Sequence, residues 1–527
     1  MSGTRPGLVP GRDRRAQLHR AAPGAARLTT DQDVVVVGGG IAGIAAAVTL
    51  VERGARVTLV EAQESLGGRV RSWPVGDGRT MSRGFHAFFR QYYTLRALLR
   101  RVDPRGERLV PVPDYPLRRG DGLTDSFAAL PASPPANLAA FVLRSPTFPV
   151  TGSPTCTHLP SALELISTSY PESHERYDGE SAADFLDRLR FPEGARHLAL
   201  EVFARSFFAH PSEFGAGELV GMFHTYFTGS SEGLIFDVPD DDYDTALWAP
   251  LCRYLEQHGA QVRTGERVEA LEQRPEGGWD VEVAGERHTA DAVVLATDPR
   301  ATRHLVQPWA ASAATTDEAT RSWHERVAAG RNAPPFAVLR LWLDRPVEAG
   351  REAFLGTSGY DLLDNITVLE RFERGAEVWA QEHAGSVVEL HGYAVDPARD
   401  EGVAGQGRCG LDEQAVRERL VSSLHQVYPE TADAVVLHEE LLVEDDCGLV
   451  STGPWRDRLT VDTPYPGLVL AGDGLRTAWP IALMERAAVT GVLAANELLS
   501  GWGVRGEDLW TVPLQGLLRR RPGRTVA

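Results

Sequence analysis

The sequence predicts an α/β (α+β, two-domain) protein in which a doubly wound sheet domain is interrupted by an inserted second domain. Three observations predict it. An apolar strand-turn-helix-strand unit stands at 33–61, and a short strand ending in Gly-Asp stands at 468–473. Between them lies a long stretch of mixed helices, strands and proline-rich loops. At 527 residues the chain has capacity for two or three domains.

The first unit reads "DVVVVGGGIAGIAAAVTLVERGARVTLVEAQ". Val34 to Val37 is a β-branched run, Gly38-Gly39-Gly40 breaks it, and an Ala-rich helix follows until Gly54. Arg56 to Val60 is a second strand, and it ends at Glu61. Gly38, Gly40 and Gly43 therefore match G-x-G-x-x-G in a Rossmann-like setting: tight turn, close backbone approach to a pyrophosphate, close packing of helix on strand. The helix amides beyond Gly40, Ala42 among them, face the pyrophosphate, and Glu61 stands where an adenosine ribose lies. Val34 to Val51 nearly reaches membrane-spanning length, but its glycines favour the β-α-β reading. A second G-x-G-x-x-G, at Gly405, Gly407 and Gly410, follows a polar loop instead of a strand and reads as surface.

Further along, 106–160 is proline-rich with one short apolar helix near Leu138 to Leu143. Helical spacing returns over Ala182 to Phe227, with Phe203, Phe207, Phe208, Phe223, Tyr226 and Phe227 forming either a core or a hydrophobic tunnel. A helix capped by Gly259 precedes a meander that returns to a buried strand, Ala292 to Ala296. "FAVLRLWLD" and "SVVELHGYAV" are strands, Asp412 to Val427 a helix, and a strand at Leu468 to Ala471 leads to a helix after Trp479. Residues 1–30 read as a disordered extension and 511–527 as a basic tail.

Composition narrows the function. A net charge of -18 argues against a general nucleic-acid binder. All 54 basic residues are arginine, which excludes a P-loop lysine, a Schiff-base lysine and a lysine base. Four scattered cysteines indicate neither a disulfide framework nor a metal site, and Cys156-Thr-His158 lacks the second half of a Rieske pattern.

Two more motifs point to a flavin. Gly67-Gly68-Arg69 follows Glu61 and lets backbone approach phosphate while Arg69 adds a planar positive fork. At the other end a strand delivers Gly472-Asp473, whose carboxylate suits a ribityl hydroxyl. The segments "VVVVGGGIAG…VTLVEA…LGGRVRS", "TGERVEAL", "DAVVLATDP" and "LVLAGDG…LMERAAVTG" together resemble the amine-oxidase and carotene-desaturase superfamily of FAD enzymes. The resemblance implies a Rossmann-like FAD-binding domain of the flavin amine oxidase/phytoene desaturase type, built from 31–105, 245–305 and 440–505. It further implies a substrate-binding domain from 106–244 and 306–439, and an apolar substrate tunnel. It implies that Val268 touches the adenine and that Met484 joins the cofactor set. Gly84-x-His86-x-Phe88-Phe89 with Asp473 and Met484-Glu485 is similar to plant-type phytoene and ζ-carotene desaturases. "TMSRGFHAFFRQYYTLRALLRRVDP" and "MFHTYFTGSSEGLIFDVPDDDYDTALWAPL" are similar to the β-carotene desaturase/methyltransferases of the isorenieratene synthase group. Amine oxidases of the superfamily place a lysine beside the flavin, and this chain has none.

The resemblance implies aromatisation of a β-ring. The ring's quaternary carbon carries two methyls, so one must move after hydride removal, and a proton must then leave. Phe85, Phe88, Phe89, Tyr92 and Tyr93 suit the cation through their ring faces. His86 is the first candidate base. Asp241, from the acidic run Asp237 to Asp244, is the second, although Asp244 also fits a helix cap. The partners expected are a carotenoid, a quinone or oxygen as electron acceptor, and a membrane surface met through 137–148 and Arg519 to Arg524. That puts the protein in the cytoplasm, on the inner face of the cell membrane. Two alternatives stay open: a desaturase or isomerase of linear polyenes, and a flavin-bearing carotenoid carrier without turnover.

Overall fold

A computed structural model describes residues 14–128, 130–146, 159–190, 196, 207–234, 236–313 and 317–518. Its first sheet has five parallel strands in the order Gln261–Arg263, Arg56–Val60, Asp33–Val37, Ala292–Leu295, Leu468–Leu470. Valines and leucines fill these strands because both faces are covered. On one face the helix Ile41–Glu52 packs against Leu483–Gly501; on the other, a three-stranded meander over Val268–Ala290 closes a separate core with Trp279 at its centre.

A seven-stranded mixed sheet stands beside it, in the order Val436–Glu444, Phe336–Leu343, Ser386–Gly392, Asn365–Val368, Phe354–Ser358, Leu117–Arg119, Thr124–Asp125. Phe336–Leu343 and Ser386–Gly392 are buried along their whole length, which leaves their polar residues only internal partners. The helix Glu413–Val427 packs on this sheet, started by Asp412, whose carboxylate accepts the amides of Gln414 and Ala415. Phe88–Phe89 and Leu109–Pro111 flank Phe236–Pro239 in a small third sheet.

The ends depart from the expectation. Residues 14–30 are described, and within them Gln17–His19 pairs antiparallel with Leu509–Thr511. His19 Nε2 and Thr511 Oγ1 lie 2.8 Å apart, and the His19 ring rests 4.4 Å from that of Trp479. Composition did not reveal this strand because its hydrogen-bond partners lie at the far end of the chain. Thr511 likewise belongs to a strand, and order continues to 518 through bonds such as Gly516 N–H to Thr168 O. Residues 1–13 and the remaining tail, 519–527, lie outside the described residues, as do 147–148, Cys156, His158 and Phe203.

The acidic run proves structural. Asp237 pairs with Arg96 at 2.5 Å, and Asp240 bonds Arg108 and Arg374. Asp242 Oδ1, and not Asp244, accepts the amides of Asp244 and Thr245. Asp241 Oδ1 accepts the amide of Gly375 at 3.0 Å, so it caps the helix Arg374–His383 from another segment. Asp241 and Asp242 are engaged at helix starts and Asp237 and Asp240 by arginines, which argues against the catalytic role expected of Asp241.

Candidate active site

A cavity of about 1340 Å³ runs between the two large sheets. That exceeds the 300–1,000 Å³ common for a single small ligand. Gly38, Gly40, Ala42, Glu61, Gly68, Arg69, Val268, Gly472, Asp473 and Met484 line it, together with Phe85, His86, Phe89 and Tyr92. The sequence-predicted residues absent from its walls include Gly43, Phe88, Tyr93 and Asp241.

The dinucleotide end is built by close backbone approach. Gly38 sits at φ +105°, and a β-carbon there would stand 2.5 Å from the carbonyl oxygen of Ala296. Gly40 caps Ile41–Glu52 without any side-chain hydrogen bond, so the first-turn amides remain available to an anion in the cavity. The Gly67-Gly68-Arg69 turn is tied back by Gly67 N–H to Gly39 O at 2.8 Å, bringing Gly68 against Gly40. Glu61 accepts the amides of Gly39 at 2.6 Å and Gln63 at 2.8 Å, and a carboxylate keeps further lone pairs for ribose hydroxyls. Arg69 Nη1 meets Asp473 Oδ2 at 3.0 Å, joining motifs from opposite ends of the chain across the cavity. These features suit a flavin dinucleotide.

The aromatic segment divides its labour. Phe85 stacks on Phe354 at 4.3 Å and Phe89 on Tyr226 at 4.4 Å, and all four rings face the cavity. Phe88, expected in the wall, is fully buried in the core, because Phe88–Phe89 is a strand whose successive side chains point to opposite sides. His86 lines the cavity, with Nδ1 2.7 Å from the Gly84 carbonyl. Burial lowers its pKa to about 4, so the imidazole is neutral at neutral pH and a weak base.

Sequence reasoning missed the polar group opposite. Asp364, Asn365, His391 and Tyr393 line the same cavity, along with Phe208 and Phe336. Glu389, fully buried, bonds Arg340 at 2.6 Å and His391 Nε2 at 2.8 Å. Burial alone would raise its pKa, but Arg340 and His391 hold it down at about 2. His391 Nδ1 lies 2.6 Å from the Tyr393 hydroxyl, which also accepts from Asn365 Nδ2 at 2.9 Å. The available signal was "ELHGY": polar residues at every second position along an otherwise apolar strand.

Among the described residues no group of three or more His, Cys, Asp or Glu stands as a metal site. No described helix is long and apolar enough to cross a membrane.

Residues 41–499 match the family model described as "Flavin containing amine oxidoreductase". The chain is 51% identical over 518 residues to a carotenoid phi-ring synthase of Streptomyces griseus, covering 97% of this chain and 96% of the relative. It is 26% identical to a carotenoid phi-ring synthase of Chlorobaculum tepidum, over 94% and 92% of the two chains. It is 27% identical to a zeta-carotene desaturase of Synechocystis, over 52% and 59%. Among solved structures, an oxidoreductase from Methanosarcina mazei superposes with a TM-score of 0.61 at 16% identity, covering 89% of this chain and all of that one. Cyclohexylamine oxidase from Brevibacterium oxydans does so with 0.60 at 15%, over 89% and 100%. At such identities these two show the fold alone.

Proposed function

We propose a specific reaction for this chain, which belongs to the flavin containing amine oxidoreductases and, within them, to the FAD-dependent carotenoid desaturase branch. It is an FAD oxidoreductase that modifies carotenoids, and the reading proposed is aromatisation of a β-ring of β-carotene with a 1,2-methyl shift. The observation that carries it is the 51% relative's name, a ring synthase, met by a cavity whose reacting end is walled by aromatic rings and has no lysine. A linear-chain desaturase is the second reading, favoured by relatives that are 27% identical or less over half of the chain and more, or 35% identical over no more than 16% of it.

FAD, held by the glycine turns, Glu61, Arg69, Asp473, Val268 and Met484, supplies the hydride acceptor. The chain's own work is to hold the ring against Phe85, Phe89, Tyr92 and Tyr226, whose faces stabilise a ring cation and exclude water. His86 forms part of that wall. Expression in a host that makes β-carotene tests the reading. Aromatic end rings in the extracted pigment are expected; unchanged β-carotene from flavin-loaded enzyme supplied with a quinone would refute it.

The substrate's insolubility in water suggests delivery from a bilayer, on its cytoplasmic face, with a quinone or oxygen as electron acceptor. In the helix Ala136–Arg144, Leu143 is 70% and Val142 42% exposed, while Phe141 stacks inward on Phe127. Flotation with anionic vesicles is expected to carry the protein upward, and Val142→Ser with Leu143→Ser to weaken this severalfold. Undiminished flotation of that double variant would assign the contact elsewhere.

A further inference from the structure

We infer that Tyr393, His391 and Glu389 form the proton-accepting relay of the reaction, with Tyr393 touching the substrate ring. The inference rests on the aromatising reading above. A β-ring has one ring double bond and the arene three, so each ring gives up two hydrides and two protons. The flavin chemistry accounts for the hydrides; the protons need a base inside the cavity.

Geometry selects the relay. Asp241 faces a helix start and not the cavity, and His86 spends one nitrogen on the Gly84 carbonyl. Tyr393 and His391 line the cavity, and Phe208 and the Tyr393 ring lie edge to face at 5.0 Å. The tautomer follows from charge. Glu389 is ionised against Arg340, which assigns the His391 proton to Nε2, 2.8 Å from Glu389; in the other tautomer that nitrogen would accept the Phe85 N–H at 3.1 Å. Nδ1 is then an acceptor, and the Tyr393 hydroxyl at 2.6 Å donates to it. Asn365 Nδ2 occupies one lone pair of the phenol oxygen, leaving the other for a proton from the ring. The Asn365 Oδ1 atom is buried without a hydrogen-bond partner and adds an unpaired negative dipole at the same wall. Burial raises the Tyr393 pKa well above its usual value, so the phenol stays protonated until it passes its proton on.

The step balances. After the methyl has moved, a ring C–H bond breaks and its electron pair becomes the new ring π bond. The proton goes to the Tyr393 oxygen while the phenol's own proton goes to His391 Nδ1. The resulting imidazolium is paired with Glu389, itself anchored by Arg340 at 2.6 Å and by that arginine's bond to Ser82. His391 and Glu389 act through Tyr393 and are positioning residues.

The test uses flavin-loaded enzyme with micellar β-carotene and a benzoquinone acceptor, and counts quinone reduced per aromatic ring formed. Wild type is expected to give two. Tyr393→Phe is expected to retain its flavin, to form aromatic rings about a hundredfold more slowly, and to give a ratio above two because cations escape to non-aromatic products. His391→Gln is expected to show the same excess, and serves alone should the first variant lose flavin. A slower variant whose ratio stays at two would reduce the relay to packing. Normal Tyr393→Phe with an uncoupled Asp364→Asn would move the base to Asp364, which already accepts the Tyr393 amide at 2.6 Å. A wild type that forms no aromatic ring at all overturns the functional reading beneath the relay, a distinct outcome.

Discussion

The Gly43→Ala variant is expected to purify without flavin. Gly43 lies in the first turn of the helix Ile41–Glu52, and a β-carbon there would stand 1.9 Å from the Gly38 carbonyl oxygen. That obstacle is backbone, so the helix itself must move away from the strand Asp33–Val37. The amides above Gly40 would then leave the position at which they meet a pyrophosphate. Overpacking of this kind costs about 3 kcal/mol, and displacing an anion site costs affinity as well. Flavin absorbance per protein, measured beside the melting temperature, reports both. Full flavin content with an unchanged melt would show that the contact relaxes at no cost.

Glu218→Gln is expected to destabilise the fold by about 3–5 kcal/mol. Glu218 is 3% exposed and bonds Arg458 at 2.6 Å and Arg486 with its other oxygen. Arg486 in turn reaches the Asp473 carbonyl, so the cluster links the helix Ala216–Phe223 to the flavin turn. Removing the charge leaves the buried Arg486 guanidinium without its ion partner, and the half-buried Arg458 without its own. Burial by itself would raise the pKa of Glu218, but Arg486 and Arg458 overcome this and hold it at about 2, against 4.5 for a free side chain. The folded-state value is depressed, so the stabilisation is complete above pH 4.5 and is lost as pH falls toward 2. Denaturant titrations across that window should show a steep loss in wild type and a flatter one in Glu218→Gln. Parallel curves would mean that other carboxylates carry the acid sensitivity.

The sequence disclosed the cofactor end far better than the reacting end, for a physical reason. Gly38, Gly40, Gly68 and Asp473 act through local backbone geometry, and local geometry leaves a mark on adjacent residues. Asp241 and Asp242 illustrate the reverse. The run they belong to looks like a reserve of free carboxylates, yet Asp241 accepts the Gly375 amide and Asp242 the Ser72 hydroxyl, each supplied by another segment. Phe88 and Phe89 are neighbours with opposite fates, settled by the pleat of a two-residue strand too short to show a pattern. His391 and Tyr393 meet the cavity only because Ser386–Gly392 lies between Phe336–Leu343 and Asn365–Val368, a sheet order no spacing rule reveals. The strand Gln17–His19 escaped notice in the same way.

The parallel sheet also sets a schedule for making the protein. Its central strand is Asp33–Val37, and one edge, Leu468–Leu470, follows it by more than four hundred residues of chain. At typical elongation rates the two are separated by on the order of 20–90 s. From the synthesis of Ala292–Leu295 until that of Leu468–Leu470 the former has a bare edge, and Arg69 lacks Asp473 for longer still. The growing chain is therefore open to mispairing at that edge until Leu468–Leu470 arrives, and the flavin site gains its last motif only once Asp473 has been made.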